Sequence, residues 1–364
     1  MTTVPRPLAL LALAPLLAPL GACAPGGAEG ASDTADDGPA ELVVEPRTSG
    51  TSQLLQAVSP AGDGVVWVSG HGGTWGRSTD GGLSWTTGVV PGADSLQFRD
   101  VAGFDARRAV LLAAGTGPMS RLMRTDDGGA TWTETFVMDH PDGFLDCMAF
   151  VDDRRGWAYG DAVDGGLYLL ETRDGGAGWS RVPASALPEA LESEGGFAAS
   201  GDCVAPDGEG GVAVATGNGS RPRLLRGSGE AEWTALDLPL TAGPAAGATA
   251  VGFGADGFAW AVGGAIGEPI EGPRVALSSD GGASWAAASD PAIEGPLYGG
   301  AHISGVDPES LVVVGPGGIA WSPDGGGAWT AVHDSSHWAV AFGDDGRGWA
   351  VGPRGRITAL RRVR

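Results

Sequence analysis

The sequence predicts an all-β chain, a single seven-bladed β-propeller closed by an N-terminal strand, and three observations carry that reading. An eight-residue pattern returns six times, its copies about 44 to 54 residues apart, the length of one four-stranded blade with its loops. Each copy follows apolar runs of strand length. After the last copy the chain offers one more three-strand unit, and a spare strand, Glu41-Leu42-Val43-Val44-Glu45, lies at the other end.

The repeat reads Ser78-Thr79-Asp80-Gly81-Gly82-Leu83-Ser84-Trp85 in its first copy. Later copies end at Trp132, Trp179, Trp285 and Trp329, and a worn one, Arg226 to Trp233, fills the longest gap. Paired glycines supply the positive φ values of a tight turn. The Asp carboxylate accepts from turn N–H groups, and the Ser/Thr hydroxyl closes the hairpin. The Trp is expected to be buried between neighbouring sheets. This S/T-x-D-G-G-x-x-W pattern is the Asp-box, which marks the hairpin between the third and fourth strands of propeller blades. That turn faces away from the mouth where ligands bind, so its Asp residues are structural.

Second strands are clearest at Val65-Val66-Trp67-Val68, Gly156-Trp157-Ala158-Tyr159 and Phe258-Ala259-Trp260-Ala261-Val262. The seventh unit runs from Trp338 through Trp349 to Leu360, and its missing fourth strand is the one at 41–45. A ring closed by both termini leaves no free sheet edge. Ahead of it, residues 1–22 carry one charge, Arg6, and an apolar run broken by Pro15 and Pro19. The run ends in the lipobox-like Leu20-Gly21-Ala22-Cys23, the pattern of a lipoprotein signal peptide with Cys23 as the lipid attachment point. Residues 23–40 read as a flexible acidic tether of about 20–25 Å end to end, and 41–364 as the propeller. The expected protein is an exported, membrane-anchored lipoprotein and a monomer.

Composition removes several function classes. The net charge is −22 and all 22 basic residues are arginine, which speaks against nucleic-acid binding and excludes lysine Schiff-base chemistry. Beyond Cys23 two cysteines remain, Cys147 and Cys203, each placed in the inner strand of a neighbouring blade (144–150 and 200–204). They form either a disulfide or two separate buried thiols. No spacing suits a metal or a cofactor, and none is expected.

The mouth is built from the starts of inner strands and the loops joining second to third strands. Inner-strand starts contribute Arg99, Asp100, Asp146, Ser200, Asp202, Tyr298 and His337, and the loops contribute Asp161, Asp164 and Arg354. Glu194 enters the fourth blade close by. The candidate ligand- or partner-binding residues are therefore Arg99, Asp100, Asp146, Asp161, Asp164, Glu194, His337 and Arg354. Asp146, Asp161, Asp164 and Glu194 together could hold a hard cation. The alternative, preferred because no spacing resembles a calcium loop, is that they cap turns and pair with Arg99, Arg121 or Arg354.

The units Gly-Trp-Ala-x-Gly followed by T-x-D-G-G-x-x-W resemble the photosystem II stability/assembly factor family of seven-bladed propellers, and more closely its bacterial relatives often labelled oxidoreductase or glycosyl hydrolase. Matching segments include 96–101, 160–165, 195–201 and 349–356. The resemblance implies a propeller that binds a protein or small ligand at its mouth without catalysis. Asp-boxes also occur in glycosidases, so a carbohydrate-active enzyme is the alternative. With three tyrosines, Tyr159, Tyr168 and Tyr298, the chain is poorly supplied for a Tyr–Glu nucleophile of the sialidase type. An enzyme should show a deep mouth and two carboxylates about 5–10 Å apart.

Overall fold

The structure, a computed structural model, describes residues 40–229, 232–267, 269–306 and 309–363. Cys23, the leader and all of the tether except Ala40 lie outside the described residues, as do two positions of the worn repeat and Glu268. The described chain forms seven antiparallel four-stranded sheets. Their inner strands are Leu55–Pro60, Phe98–Gly103, Leu145–Phe150, Val204–Pro206, Ala246–Phe253, Gly299–Ile303 and Ala339–Phe342. Each inner strand touches the next, and the seventh touches the first, so the ring is closed. Closure comes from the expected N-terminal strand: Glu41–Thr48 pairs with Arg356–Val363, with Glu41 opposite Val363 and Thr48 opposite Arg356.

The core lies between blades. Each of its apolar clusters draws residues from two neighbouring sheets. A middle strand is therefore covered on both faces, which is why it reads as an unbroken apolar run: all of Ala109–Ala113 is buried. Trp67, Trp157, Trp260 and Trp349 occupy second strands and are at most 3 % exposed. Outer strands such as Thr234–Asp237 are exposed along their length.

The repeated turns hold themselves together. The Ser78 hydroxyl donates to Asp80 Oδ1 (2.8 Å) and accepts from the Gly82 N–H (2.8 Å), while the Ser84 N–H donates to Asp80 Oδ1 (2.9 Å). Hydrogen bonds from Ser84 hold the Asp80 carboxyl down at about 2, and those from Thr131 do the same for Asp127. The second glycine has a further duty. Gly82 and Gly129 both have positive φ, and a Cβ on either would strike a tryptophan of the preceding blade, Trp349 or Trp75. The turn backbone thus rests directly on the neighbouring sheet.

Two expectations need correction. Of the six repeat tryptophans only Trp233 is buried, whereas Trp132 is half-buried at the edge of a cluster with Trp67 and Trp75 (ring centroids 6.3 and 5.9 Å). The most enclosed tryptophans, Trp67 and Trp157, belong to second strands instead. The fourth inner strand does not begin at 200: regular pairing starts at Val204, because the residues before it turn into the centre of the ring. Trp67→Ala should cost about 3–5 kcal/mol and Trp132→Ala clearly less, as urea unfolding of the two variants will read.

Candidate functional site

At the mouth end of the inner strands of blades 1, 2, 3 and 5 the pairing slips by one residue, at Gln56, Arg99, Asp146 and Thr249. Such bulges re-aim side chains. The sequence signature is an apolar residue, a polar one, then a further strand residue, as in Leu55-Gln56-Ala57 and Leu145-Asp146-Cys147.

These side chains do not face open solvent, because the chain itself fills the space between them. The connection from blade 3 to blade 4, residues 194–203, crosses the mouth and is buried except at Phe197 and Asp202, which are partly buried. Gln56 Nε2 donates to the carbonyls of Ala198 (2.9 Å) and Ala199 (3.2 Å) on this plug, and Arg99 Nη1 donates to Ala198 (3.4 Å). The Gly196 N–H donates to Asp146 Oδ2 (3.2 Å). A Cβ at Gly195 would collide with the Asp161 carboxylate, and one at Gly201 with that of Asp100. Glycine is required there by close approach of backbone to side chain. The far end of the plug reaches blade 6, where Ser200 and Asp202 abut Gly299.

Both ends of the plug are fixed. Glu194, fully buried, accepts from Arg223 through both carboxylate oxygens, from the Thr216 hydroxyl (2.8 Å) and from the Leu191 N–H (2.9 Å). This is a bidentate, fully satisfied pair, the arrangement that tolerates burial. At the other end Cys147 and Cys203 form a disulfide, with Cα atoms 5.7 Å apart. Of the two pairings left open by the sequence, the bridged one is present.

Four carboxyl groups around the plug are pushed toward their neutral form. Burial raises Asp161 to about 6 and Asp202 to about 7. Burial, reinforced by Asp202 for Asp100 and by Asp161 for Asp146, raises these two well above the usual range. Asp100 still accepts from the Val101 and Met148 N–H groups (both 2.6 Å).

The structure thus brings Arg99, Asp100, Asp146, Asp161 and Glu194 together around the plug and keeps Asp164, His337 and Arg354 apart from them. Arg99 is half-buried, with Nε and Nη2 on Gln97 Oε1 (3.1 and 2.6 Å). His337 is fully buried; its Nδ1 faces the Ser335 carbonyl (2.7 Å) and its Nε2 the Thr358 hydroxyl (2.9 Å), and burial lowers it to about 4. It is therefore not on the accessible rim. Asp164 lies 86 % exposed beside His140 (3.3 Å), and Arg354 is exposed at φ 59°. Of the four carboxylates, Glu194 pairs with Arg223 and Asp164 lies beside His140, while Asp146 accepts the Gly196 N–H and feels Arg99 without a direct ion pair; Arg121, an expected partner, is taken by Glu134 (2.8 Å). Among the described residues no group of three His, Cys, Asp or Glu is set to hold a metal. Gln56, Arg223 and Trp338 were not legible as site residues.

No family model and no curated protein matches the chain. Solved structures do. YCF48 bound to a D1 peptide is 17 % identical and aligns over 90 % of this chain and 98 % of its own, at a TM-score of 0.62. The fold is the seven-bladed propeller of YCF48. YCF48 from Cyanidioschyzon merolae (16 %, TM-score 0.60, 87 % of this chain and 98 % of that one) and a streptogramin B lyase (15 %, TM-score 0.64, 88 % and 98 %) share it. A GH74 enzyme from Niastella koreensis matches over 86 % of this chain but 53 % of its own length (14 %, TM-score 0.58). The expected likeness to assembly-factor propellers is met at the level of the fold, which binding factors and enzymes both use.

The sign of the pH dependence follows from the plug. The unfolded Asp202 carboxyl titrates near 3.8 and the folded one near 7, so between these values the native state holds a proton that the unfolded chain has lost. The stabilisation is complete below the unfolded value and is lost as pH rises through the folded one. Denaturant midpoints between pH 4 and 8 should therefore fall with rising pH, and Asp202→Asn should flatten that slope and be the more stable form at pH 8. Replacing both Cys147 and Cys203 by Ser should cost about 2–4 kcal/mol by opening a long loop, read in the same unfolding experiment.

Proposed function

We propose that this protein is a lipid-anchored extracytoplasmic propeller that binds a protein partner on the rim of its mouth, as a scaffold or assembly factor, without catalysis. One observation carries the reading: the centre of the mouth is occupied by residues 194–203 of the chain itself, which leaves a shallow rim for recognition. YCF48, which shares the fold, is known in a complex with a D1 peptide, and a peptide segment is the partner class carried over here. The closing strand adds an orientation. Glu41 lies opposite Val363, at the end of the blade away from the turn of Pro353–Gly355, so the described chain begins on the face opposite the mouth.

The alternative, a glycosyl hydrolase, is favoured by one observation, the adjoining carboxyls of Asp146 and Asp161 with raised proton affinity. Against it, the backbone of Gly195 and Gly196 lies directly on both groups, where a sugar ring would have to sit.

The rim turns that project into solvent hold residues in the left-handed region: Asp164, Asn218 and Arg354. Asp and Asn tolerate it, but for Arg it is a local cost kept in an exposed side chain. Arg354→Gly should hold or raise the melting temperature while weakening partner capture from membranes; a variant that melts higher and binds unchanged would remove Arg354 from recognition. Cys23→Ser should move the protein out of the membrane fraction. The purified protein should release no sugar from xyloglucan, arabinans or sialosides, and turnover abolished by Asp161→Asn would establish the hydrolase instead.

A further inference from the structure

At the axis the plug is tied to blades 1 to 4 and reaches blades 5 and 6. Farther out, on the rim of blades 5 and 6, lies a groove that no described residue fills. A cleft of about 660 Å³ lies between the second-to-third-strand turns of blades 5 and 6, walled by Ile266, Ile270, Pro296, Tyr298 and Pro316. A second cleft of about 720 Å³ runs on from it along blade 6 to His333 and Asp334. Ile293 and Glu294 line both, so the two clefts adjoin, and together they make a track. Tyr298 supplies the aromatic part of its wall. The Tyr298 ring stacks on Trp338 of the next blade, with centroids 4.5 Å apart and planes at 29°, and both rings are only partly buried.

The track is apolar at its floor and anionic along its edge. Ile266 and Ile270 are 36 % and 39 % exposed. Glu271, Glu294 and Asp334 are exposed, and among the described residues none of the three has an ion-pair partner. The cation in the groove, Arg274, is consumed by Asp290 (3.2 Å) and by the carbonyls of Pro291, Ile293 and Gly295. The whole chain carries −22, so the field around the groove favours a cationic partner as well.

We propose that this groove docks an extended peptide segment in which aliphatic or prolyl side chains alternate with arginine or lysine. The aliphatic and prolyl groups would lie on Ile266, Ile270 and the Tyr298 ring, which Trp338 backs by stacking. The cations would meet Glu271, Glu294 and Asp334 at the solvent edge, where charge complementarity sets specificity and approach rate. A track of two adjoining clefts matches an elongated chain better than a single sugar ring. The inference rests on the rim-binding function proposed above and names the partner chemistry for it.

Calorimetry on the purified mature protein tests it with three probes: the nonapeptide (Arg-Leu-Pro)₃, its counterpart (Glu-Leu-Pro)₃, and a xyloglucan oligosaccharide. The arginine peptide should bind, the glutamate peptide and the sugar should not, and added salt should weaken the interaction. Tyr298→Ala and Glu294→Gln should each raise Kd at least tenfold. Glu294→Gln alters an exposed side chain and keeps the test meaningful if Tyr298→Ala unfolds. Absence of binding, equal binding of both peptides, indifference to Glu294→Gln, or binding of the sugar in place of the peptide would each overturn the proposal. Capture of the membrane partner separates the two claims: if it persists in Glu294→Gln but falls in Arg354→Gly, the groove is wrong and the rim reading stands. If the peptide binds as expected but capture survives every rim substitution, the groove stands and the rim reading falls.

Discussion

A ring of seven sheets leaves a space on its axis, and filling that space is the constraint from which the mouth of this protein follows. Propeller blades stand around a central channel, and each chain must close or line it. The chain fills the mouth with its own connection between blades 3 and 4, and the chemistry nearby answers to that choice. Glycines at 195, 196 and 201 let backbone touch carboxyl groups. Those groups, removed from water, take up protons because burial outweighs both the N–H groups they accept from and, at Asp146, the pull of Arg99. Glu194, at the start of the plug, accepts instead from Arg223 and Thr216. The disulfide at Cys203 fixes the plug where it rejoins the regular strands.

The two faces of the ring consequently differ. On the turn face, carboxylates such as Asp80 and Asp127 are ionised, hydrogen-bonded within their own hairpins and set against the preceding blade. They stiffen the fold and have little left to offer a ligand. On the mouth face, buried carboxyls around the plug give way outward to free side chains on short turns and to the groove of blades 5 and 6. Recognition is thereby moved from the axis to the rim.

Local chemistry made the architecture legible. The octapeptide carries its own hydrogen-bond set, so its recurrence located the hairpins, and the apolar second strands and the spare strand at 41–45 completed the blade count. What escaped was decided by packing across blades. Trp132 closes a repeat turn and Trp67 sits in an apolar run, and only the one in a strand covered on both faces is enclosed. Asp146, Asp161 and Glu194 were legible as neighbours, but the segment Gly195 to Asp202 reads as an ordinary strand entry, and no local pattern says that it turns inward. Arg223 lies in a third strand and Gln56 in a first, and their partners are 29 and more than 140 residues away. The same distance in sequence hides the stacking of Tyr298 on Trp338.

Amide hydrogen exchange tests the central claim, that residues 194–203 are a fixed part of the core, most directly. The Gly195 and Cys203 N–H groups, bonded to the Gly217 carbonyl and to Cys147 sulfur, and that of Gly196, bonded to Asp146, should exchange at acidic pH as slowly as those of the middle strand Ala109–Ala113. Exchange of the plug amides at the rate of the exposed turn at Asp164, with Ala109–Ala113 still protected, would mean that the mouth is open in solution and would contradict the account.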